Sequence, residues 1–258
     1  MSFLKEDTNA VKTNYYGSLC TEMYEILHEK APQDELDFYL SYAEKGKKIM
    51  EALCGSGRFL VPFMERGFDI FGVDLSEEML AKLREKKPGA KAAQGDILEY
   101  DYGGLFDYIF ISSSSVSLFT DMELCGKILS KMKATLAPGG KLVFAVDTVS
   151  ERCPDDDDYR VSVSVRTKEN FELVLKTRNY YDEQTQTQFS PGIYELYDGE
   201  RLLQREVMDF QTHLYRYGEM EQLLKEIGFS DIKTYSSFSK EIAADDQCAS
   251  FLFECSTL

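Results

Sequence analysis

Apolar residues near the start of the chain recur three and four positions apart. Leu19, Met23, Ile26 and Leu27 share one helical face, and Leu36, Tyr39, Leu40 and Ala43 repeat the spacing after the Ala31-Pro32 break. Residues 14–45 are therefore expected to be helical. Between 48 and 148 short apolar runs alternate with amphipathic stretches. Strands are expected at 48–53, 69–73, 90–94, 108–112 and 141–147, with helices at 57–66, 77–86 and 122–136, the last stopped by Pro138-Gly139-Gly140. Strand and helix alternating at this spacing imply right-handed βαβ units and a parallel sheet. After 153 the period changes to two: Tyr159, Val161, Val163 and Val165 alternate with Arg160, Ser162, Ser164 and Arg166. Asp198-Gly199, between 193–197 and 202–214, is a hairpin signal. Met220, Leu223, Leu224 and Ile227 then form one more amphipathic helix, closed by Gly228, and strands near 232–238 and 249–255 finish the chain. That helix needs a sheet to cover, so the C-terminal elements are expected to rejoin the first one.

The expected fold class is α/β, a doubly wound, mostly parallel seven-stranded sheet. The expected organisation is a helical cap at 1–46, an α/β domain from 47–152 and 217–258, and an antiparallel β insertion at 153–216. The insertion reads as a substrate-selecting lid or as a dimerisation sheet, with the lid favoured, and monomer and homodimer both stand.

Charge narrows the function. The 258 residues carry 29 Lys and Arg against 45 Asp and Glu, a formal net charge of −16. Such a surface repels nucleic acid phosphates and anionic membranes, so neither is expected as a partner, and it mildly steers cationic or neutral small molecules inward. No apolar leader follows the start and no run approaches the ~18 apolar residues of a membrane span. The six cysteines are scattered without a C-x-x-C pair. A cytoplasmic protein with reduced thiols is expected. Two histidines cannot build a His-rich metal site, and no metal is expected.

The chemistry concentrates at strand ends. Ile49-Met50-Glu51-Ala52-Leu53-Cys54-Gly55-Ser56-Gly57-Arg58 closes the first strand with two glycines that let backbone pass close to a ligand. The N–H groups of the following helix are offered to a polar ligand. Gly72-Val73-Asp74 ends the second strand, where an acid can accept from both hydroxyls of a ribose. Ser76 then caps a helix that carries Met79. Gln94-Gly95-Asp96-Ile97 closes the third strand with a carboxylate beside an apolar side chain, a pairing that suits adenine. A dinucleotide reading fails, because Leu60 stands where the third glycine of G-x-G-x-x-G belongs.

In this order, MEALCGSGR, GVDLSEEML, QGDI, FDYIFISSSS and LAPGGKLVF resemble the class I S-adenosylmethionine-dependent methyltransferase family across about 47–147. The resemblance continues loosely through RYGEMEQLLKEIGF. It implies binding of S-adenosylmethionine, with S-adenosylhomocysteine as product. By it Glu51, Ala52, Gly55 and Gly57 frame the methionine end, and Asp74 and Leu75 meet the ribose. Met79, Gly95, Asp96 and Ile97 hold the adenine, while Ser112 and Ser113 face the reacting centre. The family's usual first glycine falls at Leu53. Tyr15, Tyr16 and Tyr24 are candidates to close over the cofactor, where an aromatic face favours a sulfonium.

The implied reaction is methyl transfer to an N or O atom of a small-molecule acceptor. An amine is favoured by the acidic surface and by resemblance to sugar-amine and glycine-type enzymes. A protein acceptor, or a scaffold that binds the cofactor without turnover, are the alternatives. An activated sulfonium needs alignment more than a catalytic dyad. No catalytic residue is evident apart from His213, a candidate general base should the insertion roof the site.

Overall fold

The computed structural model describes residues 13–257. The parts of the cap and of the leader reading that fall on residues 1–12, and residue 258 of the α/β domain, lie outside them. The expected N-terminal helical stretch is two helices, α1 (Ser18–Leu27) and α2 (Gln33–Leu40), parted where Pro32 caps the second. Tyr15 and Tyr16 precede α1. There follow β1 (Lys48–Ala52), α3 (Leu60–Glu65), β2 (Asp69–Asp74), α4 (Glu77–Lys86), β3 (Ala92–Gln94), β4 (Phe106–Ile111), α5 (Met122–Thr135) and β5 (Leu136–Asp147).

Two boundaries differ from expectation for physical reasons. The helix expected from 57 starts at Leu60, because Gly57 holds φ +79. A Cβ on Gly57 would stand 2.4 Å from Leu83 Cδ1, so this glycine serves the close packing of α4. At the other end, Pro138-Gly139-Gly140 falls inside β5. Phe106 pairs with Leu136 and Tyr108 with Lys141, so residues 137–140 bulge out with Gly139 at φ +71.

The segment after β5 forms two antiparallel sheets, not one. Its strands are β6 (Arg160–Arg166), β7 (Glu172–Thr177), β8 (Tyr180–Asp182), β9 (Thr187–Phe189), β10 (Gly192–Asp198), β11 (Arg201–Met208) and β12 (Gln211–His213). They pair as β11-β10-β7-β6 and β12-β9-β8. The strand expected over 202–214 breaks at Asp209-Phe210, where the Phe210 carbonyl turns to accept from the Ser190 N–H at 2.8 Å. The chain leaves and re-enters the α/β layer at one point: the Tyr215 N–H donates to the Asp147 carbonyl and the Val149 N–H to the Tyr215 carbonyl.

Next come α6 (Glu219–Ile227), β13 (Ser230–Tyr235) and β14 (Ser250–Ser256). Gly228, at φ +86, ends α6 by donating to the Leu224 and Lys225 carbonyls, and the Phe229 N–H also reaches Leu224. As expected, these elements rejoin the first sheet, whose order is β13-β14-β5-β4-β1-β2-β3, with β14 antiparallel to both neighbours.

The pleat sends alternate side chains to opposite layers. In β5, Leu142, Phe144 and Val146 pack with Cys125, Leu129 and Met132 of α5 and Met220 and Leu224 of α6. Val143 and Ala145 face the opposite layer, with Leu36 and Tyr39 of α2, Leu60 and Phe63 of α3, and Leu80 and Leu83 of α4. A third core lies outside this sandwich. Leu19, Cys20 and Met23 of α1 pack on Leu173, Tyr194 and Met208 of the four-stranded sheet. Among the described residues no helix is long and apolar enough to cross a membrane.

Candidate functional site

The carboxyl ends of β1, β2, β4 and β5 open on one cavity of about 640 Å³, closed from above by residues 13–16, Tyr24 and Phe210. Its volume is in the range of small-molecule sites. Glu51, in the middle of the sheet, is 1% exposed. Its Oε1 accepts from the Ser112 hydroxyl at 2.9 Å, whereas Oε2 has no hydrogen-bond partner among the described residues. Burial pushes this carboxyl up to about 8, offset only in part by Ser112 and the nearby Leu60 N–H. An orphaned, buried carboxylate oxygen at a cavity wall is a place for a cationic donor.

At the end of β2 the Asp74 carboxylate accepts from the Gly55 N–H at 2.7 Å and the Ser76 N–H at 2.9 Å. Burial raises its pKa. Each oxygen keeps a lone pair for a ligand hydroxyl. A Cβ at Gly55 (φ +51) would meet nothing within 4 Å, so the loop leaves open space there. Ser76 caps α4 by accepting from the Met79 N–H, and its hydroxyl donates to the Tyr16 carbonyl at 2.7 Å.

After β4 the backbone is strained. Ser113 and Ser114 hold φ 56 and 52, and the Ser115 N–H donates to the Ser112 carbonyl, a type I′ turn without glycine. The Ser113 N–H donates to the buried Glu35 carboxylate at 2.8 Å, and its hydroxyl accepts from the Arg58 guanidinium at 2.6 Å. That guanidinium also lies 5.5 Å from the Tyr24 ring centre and 5.2 Å from that of Phe59. Leu53 holds φ 58 and Asn14 φ 53. Of the eight non-glycine residues at positive φ among the described residues, these four line the cavity, which is where strain held for function collects.

The comparisons with known proteins accord with this layout. The sequence model of a family described as "Methyltransferase domain" matches residues 49–140, the stretch that carries Glu51, Asp74 and the serine turn. Over those residues the chain is similar to methyltransferase domains. The chain is 30% identical over 110 residues to the dTDP-3-amino-3,4,6-trideoxy-alpha-D-glucopyranose N,N-dimethyltransferase of Streptomyces venezuelae, covering 43% of this chain and 46% of that one. The match thus spans about half the length of that curated relative. Over 245 residues it is 28% identical to the glycine/sarcosine N-methyltransferase of Halorhodospira halochloris, covering 90% of this chain and 85% of that one. A Clostridium acetobutylicum S-adenosylmethionine-dependent methyltransferase has the same fold, with TM-score 0.72 at 16% identity over 91% of this chain and 96% of that one.

Of the residues the sequence singled out, Tyr16, Glu51, Gly55, Asp74, Leu75, Met79, Ser112 and Ser113 line the cavity. Ala52, Gly57, Gly95, Asp96 and Ile97 do not. Ala52 is fully buried in the sheet core and Gly57 abuts Leu83. The 95–97 loop stands beside the site, joined to it by the Gly95 N–H to the Asp74 carbonyl and by Gln94 to the Leu75 carbonyl. Asp96 there accepts from the Leu98 N–H, while Ile97 is buried in the core.

His213 does not line the cavity. It is 3% exposed, its Nε2 lies 2.7 Å from Glu219 and its Nδ1 3.1 Å from the Thr185 carbonyl. Both ring nitrogens are thus engaged by protein groups. Sequence reasoning passed over Arg58, Glu35, Asn14, Phe210 and Asp147. The signal for Asp147 was present: it ends β5 as Asp74 ends β2.

Proposed function

We propose that this chain transfers a methyl group from S-adenosylmethionine to an N or O atom of a small-molecule acceptor. One observation carries the cofactor assignment: the orphaned Glu51 Oε2 and the strand-end Asp74 carboxylate face the same cavity, as an α-ammonium and a ribose diol require. In this reading Glu51 receives the ammonium and Arg58 the carboxylate of the methionine moiety. Asp74 accepts from the ribose hydroxyls, and Leu75 and Met79 flank the adenine, with the 95–97 loop at its outer edge. Bound cofactor supplies an activated methyl on a sulfonium. The protein's part is to hold the acceptor in line and exclude water, through Tyr16, Tyr24 and Phe210 above the site. The small-molecule acceptor is supported by a cavity of small-molecule size and by the two relatives, whose names describe N-methylation of an amino sugar and of glycine or sarcosine.

The same reading places the protein in the cytoplasm, as monomer or homodimer, without nucleic acid, membrane or metal. It is supported by the net charge of −16, and by six cysteines that are all free.

Titration with S-adenosylmethionine by calorimetry, beside Asp74→Ala, tests it. Saturable binding that weakens about thirtyfold in the variant is expected, since hydrogen bonds to a charged group contribute about 1.5–3 kcal/mol. Absence of binding to wild type, with mass spectrometry showing no retained cofactor, overturns the reading.

A further inference from the structure

Among the described residues four acids line the cavity, and three already have a task. Glu51 is bonded to Ser112 and turns its free oxygen to the cofactor's ammonium. Asp74 is held by the Gly55 and Ser76 N–H groups at the ribose position. Asp121 caps α5, its Oδ1 accepting from the Glu123 and Leu124 N–H groups. Asp147 is left.

Its backbone is fixed on both sides. The N–H donates to Ser117 Oγ at 2.8 Å, and the carbonyl accepts from the Tyr215 N–H at 2.9 Å, where the two antiparallel sheets leave the α/β layer. The Ser114 hydroxyl, on the strained turn after β4, is near enough to the carboxylate to favour its charged form in part. No lysine, arginine or histidine pairs with it among the described residues, and its charged neighbours, Glu151 and Glu35, are both acids. Arg58 is the one Lys or Arg on the cavity wall among the described residues, and it donates to Ser113 and is assigned above to the cofactor's carboxylate. A mostly buried carboxylate without a counter-cation is costly. With the cofactor's ammonium placed at Glu51 and no sulfonium on S-adenosylhomocysteine, the product-loaded site keeps an electrostatic demand for a cation at Asp147. Burial pushes the Asp147 carboxyl up to about 6, which agrees with an acid left uncompensated.

We propose that Asp147 binds the acceptor, and that the acceptor is a small amine received as its ammonium ion. This rests on the methyl transfer proposed above. Asp147 holds the nitrogen at the reacting centre and takes one N–H proton, giving the free amine. The nitrogen lone pair forms the new N–C bond as the methyl–sulfur bond breaks with its electron pair on sulfur. The products are the N-methylammonium, the neutral thioether of S-adenosylhomocysteine and a protonated Asp147, which returns its proton to solvent. Burial helps the first step, because proton transfer within the pair removes both charges from a poorly solvated site.

The probes are benzylammonium and its neutral isostere benzyl alcohol, added to protein loaded with S-adenosylhomocysteine and followed by ligand-observed NMR. Wild type is expected to bind the ammonium and not the alcohol. Asp147→Asn should retain S-adenosylhomocysteine affinity while ammonium binding falls about thirtyfold or more, the scale for removing one partner of a buried charge pair. Asp147→Glu, which keeps the charge, should keep the preference for ammonium over alcohol. Equal ammonium binding in wild type and Asp147→Asn overturns the proposal, as does alcohol bound as tightly as ammonium, or no ammonium binding to loaded wild type. Failure to load with S-adenosylhomocysteine is a separate result that removes the methyltransferase reading itself.

Discussion

Glu51 shows how one residue ties stability to ligand binding. Its carboxyl stands on a central strand with one oxygen unpaired, and burial lifts its pKa from an ordinary 4.5 to about 8. Between those values the folded chain keeps a proton that the unfolded chain has lost. Stability is therefore complete below 4.5 and falls as pH rises through 8. Asp74 and Asp147 are shifted in the same direction, so the contribution of Glu51 is isolated by difference. Cofactor-free Glu51→Gln is expected to melt above wild type at about pH 8.5 and level with it near pH 4, because the amide has no charge to desolvate. Thermal scans across that range check it. The same variant should bind S-adenosylmethionine more weakly, since its amide cannot pair with an ammonium. Identical pH profiles for the two proteins would mean that Glu51 is solvated in the free protein.

The elements were legible where a local rule sets them. Ser76 marks a helix start and Gly228 a helix end, and each occupies that position. The apolar runs of β1, β2, β4 and β5 also stood out, because strands buried on both faces are continuous in sequence. What a period of two cannot state is which strand pairs with which. The split of residues 160–213 into two sheets, and the break at Asp209-Phe210, depend on partners far along the chain. The site divides in the same way. Asp74 and Glu51 sit in motifs, whereas Asn14 and Asp147 reach the cavity only through tertiary contacts, and Glu35 stands behind its wall, accepting from the Ser113 N–H. Asn14 is the clearest case. From the strap before α1, its Nδ2 donates to the Leu118 and Gln211 carbonyls, both at 2.8 Å, and its Oδ1 accepts from the Gln211 N–H. It thus pins the strap to the turn after β4 and to β12. Its φ of 53 is one that asparagine tolerates better than most residues. Asn14→Gly should therefore lose only the side-chain bonds, and Asn14→Ala those bonds plus about 1 kcal/mol of backbone strain. Urea titrations should rank wild type, glycine and alanine in falling stability. Limited proteolysis should cut the strap fastest in the alanine variant.

At the scale of the whole molecule, the roof of the cavity belongs to a different core from its floor. Leu19, Cys20 and Met23 put α1 on the four-stranded sheet, whereas α2 packs into the α/β layer between Ile49, Phe63 and Phe110. The two helices are neighbours in sequence yet are held by separate sets of contacts. The β6–β12 segment itself is tethered where its two ends meet, at Asp147, Val149 and Tyr215. Contacts of this kind partition a chain into units that open with different free energies. Amides of α1 are therefore expected to exchange hydrogen at the rate of β10 and β11, and faster than those of β1, β4 and β5, although β1 is the nearer strand in sequence. Cofactor would bridge floor and roof through Asp74 below and Tyr16 above, whose carbonyl already accepts from Ser76 on α4. S-adenosylhomocysteine should consequently slow exchange in α1 and in β10–β11 together, by a common factor, while β5 changes little. Exchange followed by mass spectrometry resolves the three groups. Protection of α1 in step with α2, with or without ligand, would mean that the N-terminal helices form one unit and that the roof does not move with the antiparallel sheets.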